Sequence, residues 1–294
     1  VQIASTWKMP NFGSYLLKQR SLQISAMPVS SPTVVELKTI LNKYDEIHRR
    51  LVQYTMKEGY TTTEEFLEKF ILLIERYGCF DEHQMQNLRK ITKKEKRDIL
   101  ANLMRVLNGQ LDHLGLRIVE VFDEHQGGVA YVTLITTCTF NDMYEKMSGL
   151  SNAEVALFNV WLGMMCTSVD GQILLIDALD AAVKLPRKIS QKRAQKLIDR
   201  LIAEHWLTMA QDNEALHLSV HAMAQMQADL MSRFSLKMCV HCKNAVVIIG
   251  HALHCDACNA YIHRHCAQRL RDNMRSGILK CPGREGRCET ILDE

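Results

Sequence analysis

The chain has 294 residues, 47% of them apolar, which is enough for two or three domains with real cores and argues against a disordered protein. A formal net charge of +3 excludes any reading of partners from overall charge, so a basic surface has to be local. The longest apolar stretches, Leu157 to Val169 and Ala245 to Ile249, fall short of the roughly 18 residues of a membrane-spanning helix, and no membrane association is expected.

In chain order, residues 1–39 read as a disordered leader. Their first acidic residue is Glu36, after Lys8, Lys18, Arg20 and scattered serines, a composition shared with transit peptides. Pro28, Ser30, Ser31 and Pro32 mark its end. Helical spacing begins near Ile40 and continues through Leu41, Tyr44, Ile47, Leu51 and Tyr54. A second helix is capped within Thr61 to Thr63, carries Phe66, Phe70, Leu73, Ile74 and Tyr77 on one face, and stops at Gly78. A third, introduced by Thr92, runs through Ile99, Leu103, Val106, Leu107 and Leu111. The period then changes. Arg117 to Phe122 and Val129 to Thr137 are β-branched and aromatic runs flanking Asp123, Glu124, Gly127 and Gly128, which predicts a hairpin.

The same order of elements returns. Ala153 to Val169, Ile173 to Val183 and Ser190 to His205 read as helices, and Trp206 to Met209 with Ala215 to Leu218 as a hairpin turning at Asp212 and Asn213. Three helices and a hairpin are the layout of a winged helix, so tandem winged-helix domains are expected at 40–150 and 151–234. A last helix with Val220, Met223, Met226, Leu230 and Phe234 leads into a zinc domain at 235–294. The expected fold is mainly α with small β-hairpins. Stripes of Leu, Ile and Met at helical spacing are core.

Of ten cysteines, Cys79, Cys138 and Cys166 stand alone and read as buried thiols, while the other seven fall between Cys239 and Cys288. With one histidine they spell Cys239-x2-Cys242-x12-Cys255-x2-Cys258-x4-His263-x2-Cys266-x14-Cys281-x6-Cys288. Thiolate and imidazole suit zinc, a tight Cys-x-x-Cys turn aims two sulfurs at one ion, and eight ligands make two closed tetrahedral sites. His263 keeps the two-residue spacer that His265, adjoining Cys266, lacks; His241, His251 and His254 read as surface residues, with His254 the alternative ligand for a distorted site. A segment this short cannot bury much core and needs metal staples. The spacing allows the four pairs to be joined in sequence or interleaved.

Resemblance to RING and PHD modules, both cross-braced, implies interleaving: Cys239, Cys242, His263 and Cys266 on one ion, Cys255, Cys258, Cys281 and Cys288 on the other. A PHD normally has a tryptophan just before its seventh ligand, where this chain has Leu279, so the RING likeness is preferred. Thr167-Ser168-Val169-Asp170-Gly171-Gln172, Leu201-Ile202-Ala203-Glu204-His205-Trp206-Leu207, Leu216-His217-Leu218-Ser219 and Ile47-His48-Arg49-Arg50-Leu51 resemble the non-SMC element 1 family, as does the order of four Cys, one His and three Cys. The resemblance covers the chain from about Ile40 to Cys288. It implies a subunit of the SMC five-six complex, in the nucleus and on chromosomes, acting in DNA repair and chromosome maintenance. Its implied partners are a MAGE-type winged-helix subunit and a kleisin. Its implied activity is RING-type ubiquitin ligation, with two zinc ions as cofactors and Val240, Leu270 and Pro282 as candidate contacts for the ubiquitin-conjugating enzyme.

This chain departs from the RING pattern in places. His241 stands before the second cysteine where an apolar residue is usual, the last spacer is six residues rather than two, and Glu289 follows Cys288 where no basic residue is present to grip ubiquitin. The alternative is a scaffold without catalysis, in which zinc only stabilises an interaction subunit of the same complex. A further reading is DNA binding: Lys192, Lys196 and Arg200 recur every four residues opposite Ala194, Leu197, Ile198 and Leu201, and Lys90, Lys93, Lys94, Lys96 and Arg97 cluster earlier. The plainer explanation of such runs is a solvated helix face.

Overall fold

The computed structural model describes residues 43–78, 80–137, 149–272, 274 and 278–292. The expected leader, Ile40, Leu41, Cys79 and Cys138 lie outside them. The first unit opens with α1 (Glu46–Glu58), whose first turn is closed by Asp45 accepting the amides of Ile47 and His48. Tyr44, expected inside this helix, precedes it and packs on the core from outside. The short strand β1 (Tyr60–Thr62) leads into α2 (Thr63–Tyr77), then α3 (Glu82–Arg89) and α4 (Lys93–Leu111). Thr62 with Glu65, Asp81 with Gln84 and Thr92 with Glu95 each form a reciprocal capping box, so every one of these starts is written in a local pair three residues apart. The hairpin β2 (Leu116–Asp123) and β3 (Val129–Thr136) pairs from Leu116 opposite Thr136 to Asp123 opposite Val129.

The second unit is α5 (Asn152–Thr167), β4 (Gln172–Leu174), α6 (Leu175–Lys184), α7 (Gln191–Ala203) and the hairpin β5 (Leu207–Met209) with β6 (Ala215–Leu218). The helix expected from Ile173 therefore starts two residues later. Ile173 is buried opposite Leu216 and extends the sheet, because the hairpin supplies a strand partner that no local pattern reveals. The sheets have orders β1-β3-β2 and β4-β6-β5, so in each unit the short strand after the first helix pairs with the last strand of the hairpin. This is one winged-helix topology used twice, with α3 added in the first copy.

Each unit has its own apolar cluster. The first gathers Leu51, Phe66, Phe70, Leu103, Leu107 and Ile118; the second gathers Leu157, Phe158, Trp161, Ile198 and Leu201. Trp161 is fully buried, and its indole N–H donates to the carbonyl of Ala178 at 2.9 Å, so the largest side chain of that core is both packed and satisfied. Cys166 lies in the same core, where burial pushes its thiol up to about 12 and leaves it a small hydrophobe.

Helix α8 (Val220–Phe234) joins the units, packing on β2 and β3 of the first and on α5 of the second. Thr133 donates to the carbonyl of Gly59 and sits 2.8 Å from His221 Nδ1, while the side-chain amide of Gln225 exchanges two hydrogen bonds with the backbone of Thr136. Next to this seam the rings of His125 and His217 stack at 3.9 Å. Burial lowers both His125 and His221 to about 4, so these two imidazoles are uncharged at neutral pH.

The remaining elements are short: β7 (Lys237–Met238), β8 (Ala245–Val246), β9 (Leu253–Cys255), β10 (Ala260–Ile262), α9 (Arg264–Asp272) and the single turn α10 (Gly283–Gly286). Their own cluster centres on Val246, Ile262, Ala267, Leu279 and Leu292 together with buried cysteines.

Candidate metal centre

Each Cys-x-x-Cys pair sits on a tight turn with the same local device. After Cys242 and after Cys258 comes a residue in the left-handed region, Lys243 at φ 64° and Asn259 at φ 56°. The amides of Lys243 and Asn259 donate back to the carbonyls of Cys239 and Cys255, at 3.0 and 2.7 Å. Asparagine tolerates this conformation better than most residues. The result is two knuckles in which paired sulfurs face the same way.

Chain topology then crosses the knuckles. The hairpin of β9 and β10 carries the second knuckle, and β10 runs directly into His263 and α9, which holds Cys266. Cys239 and Val240 lie beside Tyr261, with the Val240 amide donating to its carbonyl at 3.0 Å. That pairing carries the first knuckle to His263 and Cys266, past the second knuckle. The last pair accommodates its long spacer with α10, a single helical turn between the two cysteines. The chain then returns alongside itself, the amide of Cys281 donating to the Thr290 carbonyl and that of Leu292 to the Leu279 carbonyl. Gly283 is required in this turn, since a Cβ there would lie 2.5 Å from the Cys258 sulfur.

Two ligand groups result: Cys239, Cys242, His263 and Cys266, and Cys255, Cys258, Cys281 and Cys288. All ligand atoms within each group lie within 4.8 Å of one another. Cys255 and Cys288 sulfurs are 3.7 Å apart, Cys258 and Cys281 3.5 Å, and His263 Nδ1 is 3.2 Å from Cys242 and 3.8 Å from Cys266. Zinc–sulfur bonds of about 2.3 Å in a tetrahedron give sulfur–sulfur edges of about 3.8 Å. Thiolates held this close would repel unless a dication lay between them, which is what a zinc ion would supply. The donor set fits two zinc ions in closed, structural, cross-braced sites, and when bound the metal supplies a fixed geometry rather than a reactive water. His241, His251 and His254 are exposed and outside both groups, His254 being engaged with Asp256 and Asn259. His265 stacks on His263 at 4.8 Å without joining the site.

Spacing alone gave no sign of one residue at this centre. Glu124, in the hairpin tip of the first winged helix, accepts the amides of Val247 at 2.9 Å and Ile248 at 3.1 Å. Its carboxylate also lies 3.4 Å from His263 Nε2, whose N–H donates to the Ala245 carbonyl at 3.0 Å. Burial pushes this carboxyl up, but the imidazole and the two amides outweigh it and hold it below the usual glutamate range.

The candidate enzyme contacts Val240, Leu270 and Pro282 are all half-buried, the first two packing on the zinc-module cluster. Of the candidate nucleic-acid contacts, Lys192 and Lys196 are exposed on α7. Arg200, on the same helix, pairs with Glu204 at 2.8 Å and donates to the Gly149 carbonyl.

No family model matches the chain and no curated protein matches it. Among solved structures, a chain of the Nse1-Nse3-Nse4 complex superposes with a TM-score of 0.63 at 20% sequence identity, over 86% of this chain and 98% of that one. At that identity the likeness is one of fold, extending over nearly the whole of the matched chain.

Proposed function

We propose that this chain is the RING-type subunit of an SMC five-six complex, a ubiquitin-protein ligase of the nucleus that works on chromosomes in DNA repair. The observation that carries the reading is the fusion, in one chain, of two winged helices and an interleaved module with one mixed cysteine–histidine site and one all-cysteine site. The fold match to a chain solved within a three-protein complex supports an assembled subunit, and a MAGE-type winged-helix protein and a kleisin are the proposed partners. A RING ligase forms no covalent intermediate. It holds a charged conjugating enzyme so that the thioester meets a substrate lysine, and its contribution is positioning. The two metal sites would fix the knuckle bearing Val240, the helix bearing Leu270 and the turn bearing Pro282 as one rigid docking surface. Reconstitution with activating enzyme, conjugating enzyme, ubiquitin and the MAGE-type partner should give ubiquitin chains, and Pro282→Ala should lower the rate at least several-fold. Absence of chains with all components present would leave the scaffold, which the exposed His241 and Glu289 favour.

Nucleic-acid binding is a second reading with its own observation. Lys184, Arg187, Lys188, Lys192 and Lys196 are exposed around the turn between α6 and α7, and no acidic side chain pairs with them among the described residues. The neighbouring Arg193 and Arg200, by contrast, are tied to Glu154 and Glu204. The unpaired cations around this turn, with Lys192 and Lys196 among them, are the group that supports this reading. If these cations meet phosphates, affinity for duplex DNA falls steeply with salt, and Lys192→Glu with Lys196→Glu lowers the slope of log affinity against log salt by about 2. An unchanged slope would return the patch to a solvated face.

A further inference from the structure

The hairpin tip of the first winged helix is applied to the zinc module at several points. Glu124 receives the amides of Val247 and Ile248, directly after β8, and reaches within 3.4 Å of the imidazole of the first metal group. Arg269, on α9 behind Cys266, donates to the Gly128 carbonyl at 2.8 Å and lies over the Phe122 ring at 4.1 Å. His265 packs against the same Phe122 at 5.5 Å. Gly128 is buried at φ 81°, and a Cβ there would lie 2.3 Å from the side chain of His265, so the two surfaces are fitted without space for one methyl group.

From this geometry we infer that the first zinc site is completed by the winged helix, with Glu124 as a positioning residue for His263. A ligating imidazole is oriented by whatever accepts its second ring N–H. Here that acceptor is the carbonyl of Ala245, and Glu124 pins the backbone at Val247 and Ile248, just past the same strand, while placing a negative charge beside the same nitrogen. The carboxylate therefore acts on the ligand twice, through the strand that holds the acceptor and through the field at Nε2. The second group, Cys255, Cys258, Cys281 and Cys288, makes no contact with the hairpin in the hydrogen bonds and ring contacts of the described residues, so its ion should not depend on Glu124. It follows that the hairpin tip is committed within the molecule, and that the docking face of the zinc module is held in a fixed orientation to the winged helices.

The test uses the full chain loaded with cobalt(II), whose absorption distinguishes a mixed cysteine–histidine site from an all-cysteine site, challenged with excess chelator. Glu124→Gln, nearly isosteric, and Glu124→Ala should lower the affinity of the mixed site about 10- to 100-fold, the range seen when outer partners of metal ligands are removed, and release its ion correspondingly faster. The ion of the all-cysteine site should leave at the unmodified rate. Amide exchange at Val247 and Ile248 should quicken, with Asn259 unchanged. The inference is overturned if both ions leave at the original rates in Glu124→Gln, if both accelerate equally, or if either variant folds without the all-cysteine signal. The readout is independent of ligase activity, so failure of the inference and failure of the proposed function are separable.

Discussion

Exchange of Cys239 for Ser should lower the zinc content of the purified chain from two ions to one and strip protection from amide exchange across 237–248 and 260–272, while α1 to α4 keep theirs. A structural zinc contributes roughly 10 to 16 kcal/mol in isolated finger peptides, against about 5 to 15 kcal/mol for the net stability of an ordinary domain. The apolar cluster of the zinc module is small and made partly of the cysteines themselves, so little else can hold it. Interleaving sharpens the expectation, because each ion ties a knuckle to a pair beyond the other knuckle, so loss of one ion frees both of the segments it joins. Cys258→Ser should remove the other ion and free the segment around Leu279 and Leu292. The second winged helix should weaken in both variants, since Leu236, Ala245 and Val247 belong to its core cluster. Retention of both ions in either variant, measured by elemental analysis, would contradict the ligand assignment.

Trp161→Ala should destabilise the second winged helix by about 3 to 5 kcal/mol, the usual cost of emptying a large aromatic site in a packed core. Trp161 has no exposed surface, and its loss also leaves the Ala178 carbonyl without its donor. Trp161→Phe keeps most of the packing and should cost less. Ile176→Ser, on the outer face of α6 where the side chain is 66% exposed, should stay within about 0.5 kcal/mol of the unmodified protein. Urea unfolding followed by a probe confined to 152–218 checks all three, and equal effects at 161 and 176 would mean that the core is placed wrongly.

Local signals were legible in the sequence to the extent that their physics is local. The starts at Thr92 and in the Thr61 to Thr63 cluster follow from capping pairs, and the hairpin of β2 and β3 follows from a change of period at two glycines. Helix α3 carried the same kind of signal, Asp81 with Gln84, and a search for capping pairs would have found it. Strands β1 and β4 could not be read this way. Three residues become a strand only because β3 and β6 arrive beside them from far along the chain. At the metal centre, ligand identity was legible from spacing, but pairing was not, since sequential and interleaved schemes satisfy the same intervals and resemblance to RING modules supplied the choice. Glu124 lay beyond reach for the same reason as β1: its partners Val247, Ile248 and His263 are brought to it only by the packing of a third unit onto the first. Arg200 was a different case. Its recurrence with Lys192 and Lys196 marked a helix face correctly, yet Glu204 four residues on was already a visible partner.

Zinc K-edge absorption on the full chain tests the central claim most directly. Two ions per chain, seven sulfurs at about 2.3 Å and one imidazole nitrogen at about 2.0 Å shared between them, is the predicted result. Fewer than two ions, or a spectrum requiring oxygen ligands in place of those sulfurs, would contradict the closed cross-braced centre on which the functional reading stands.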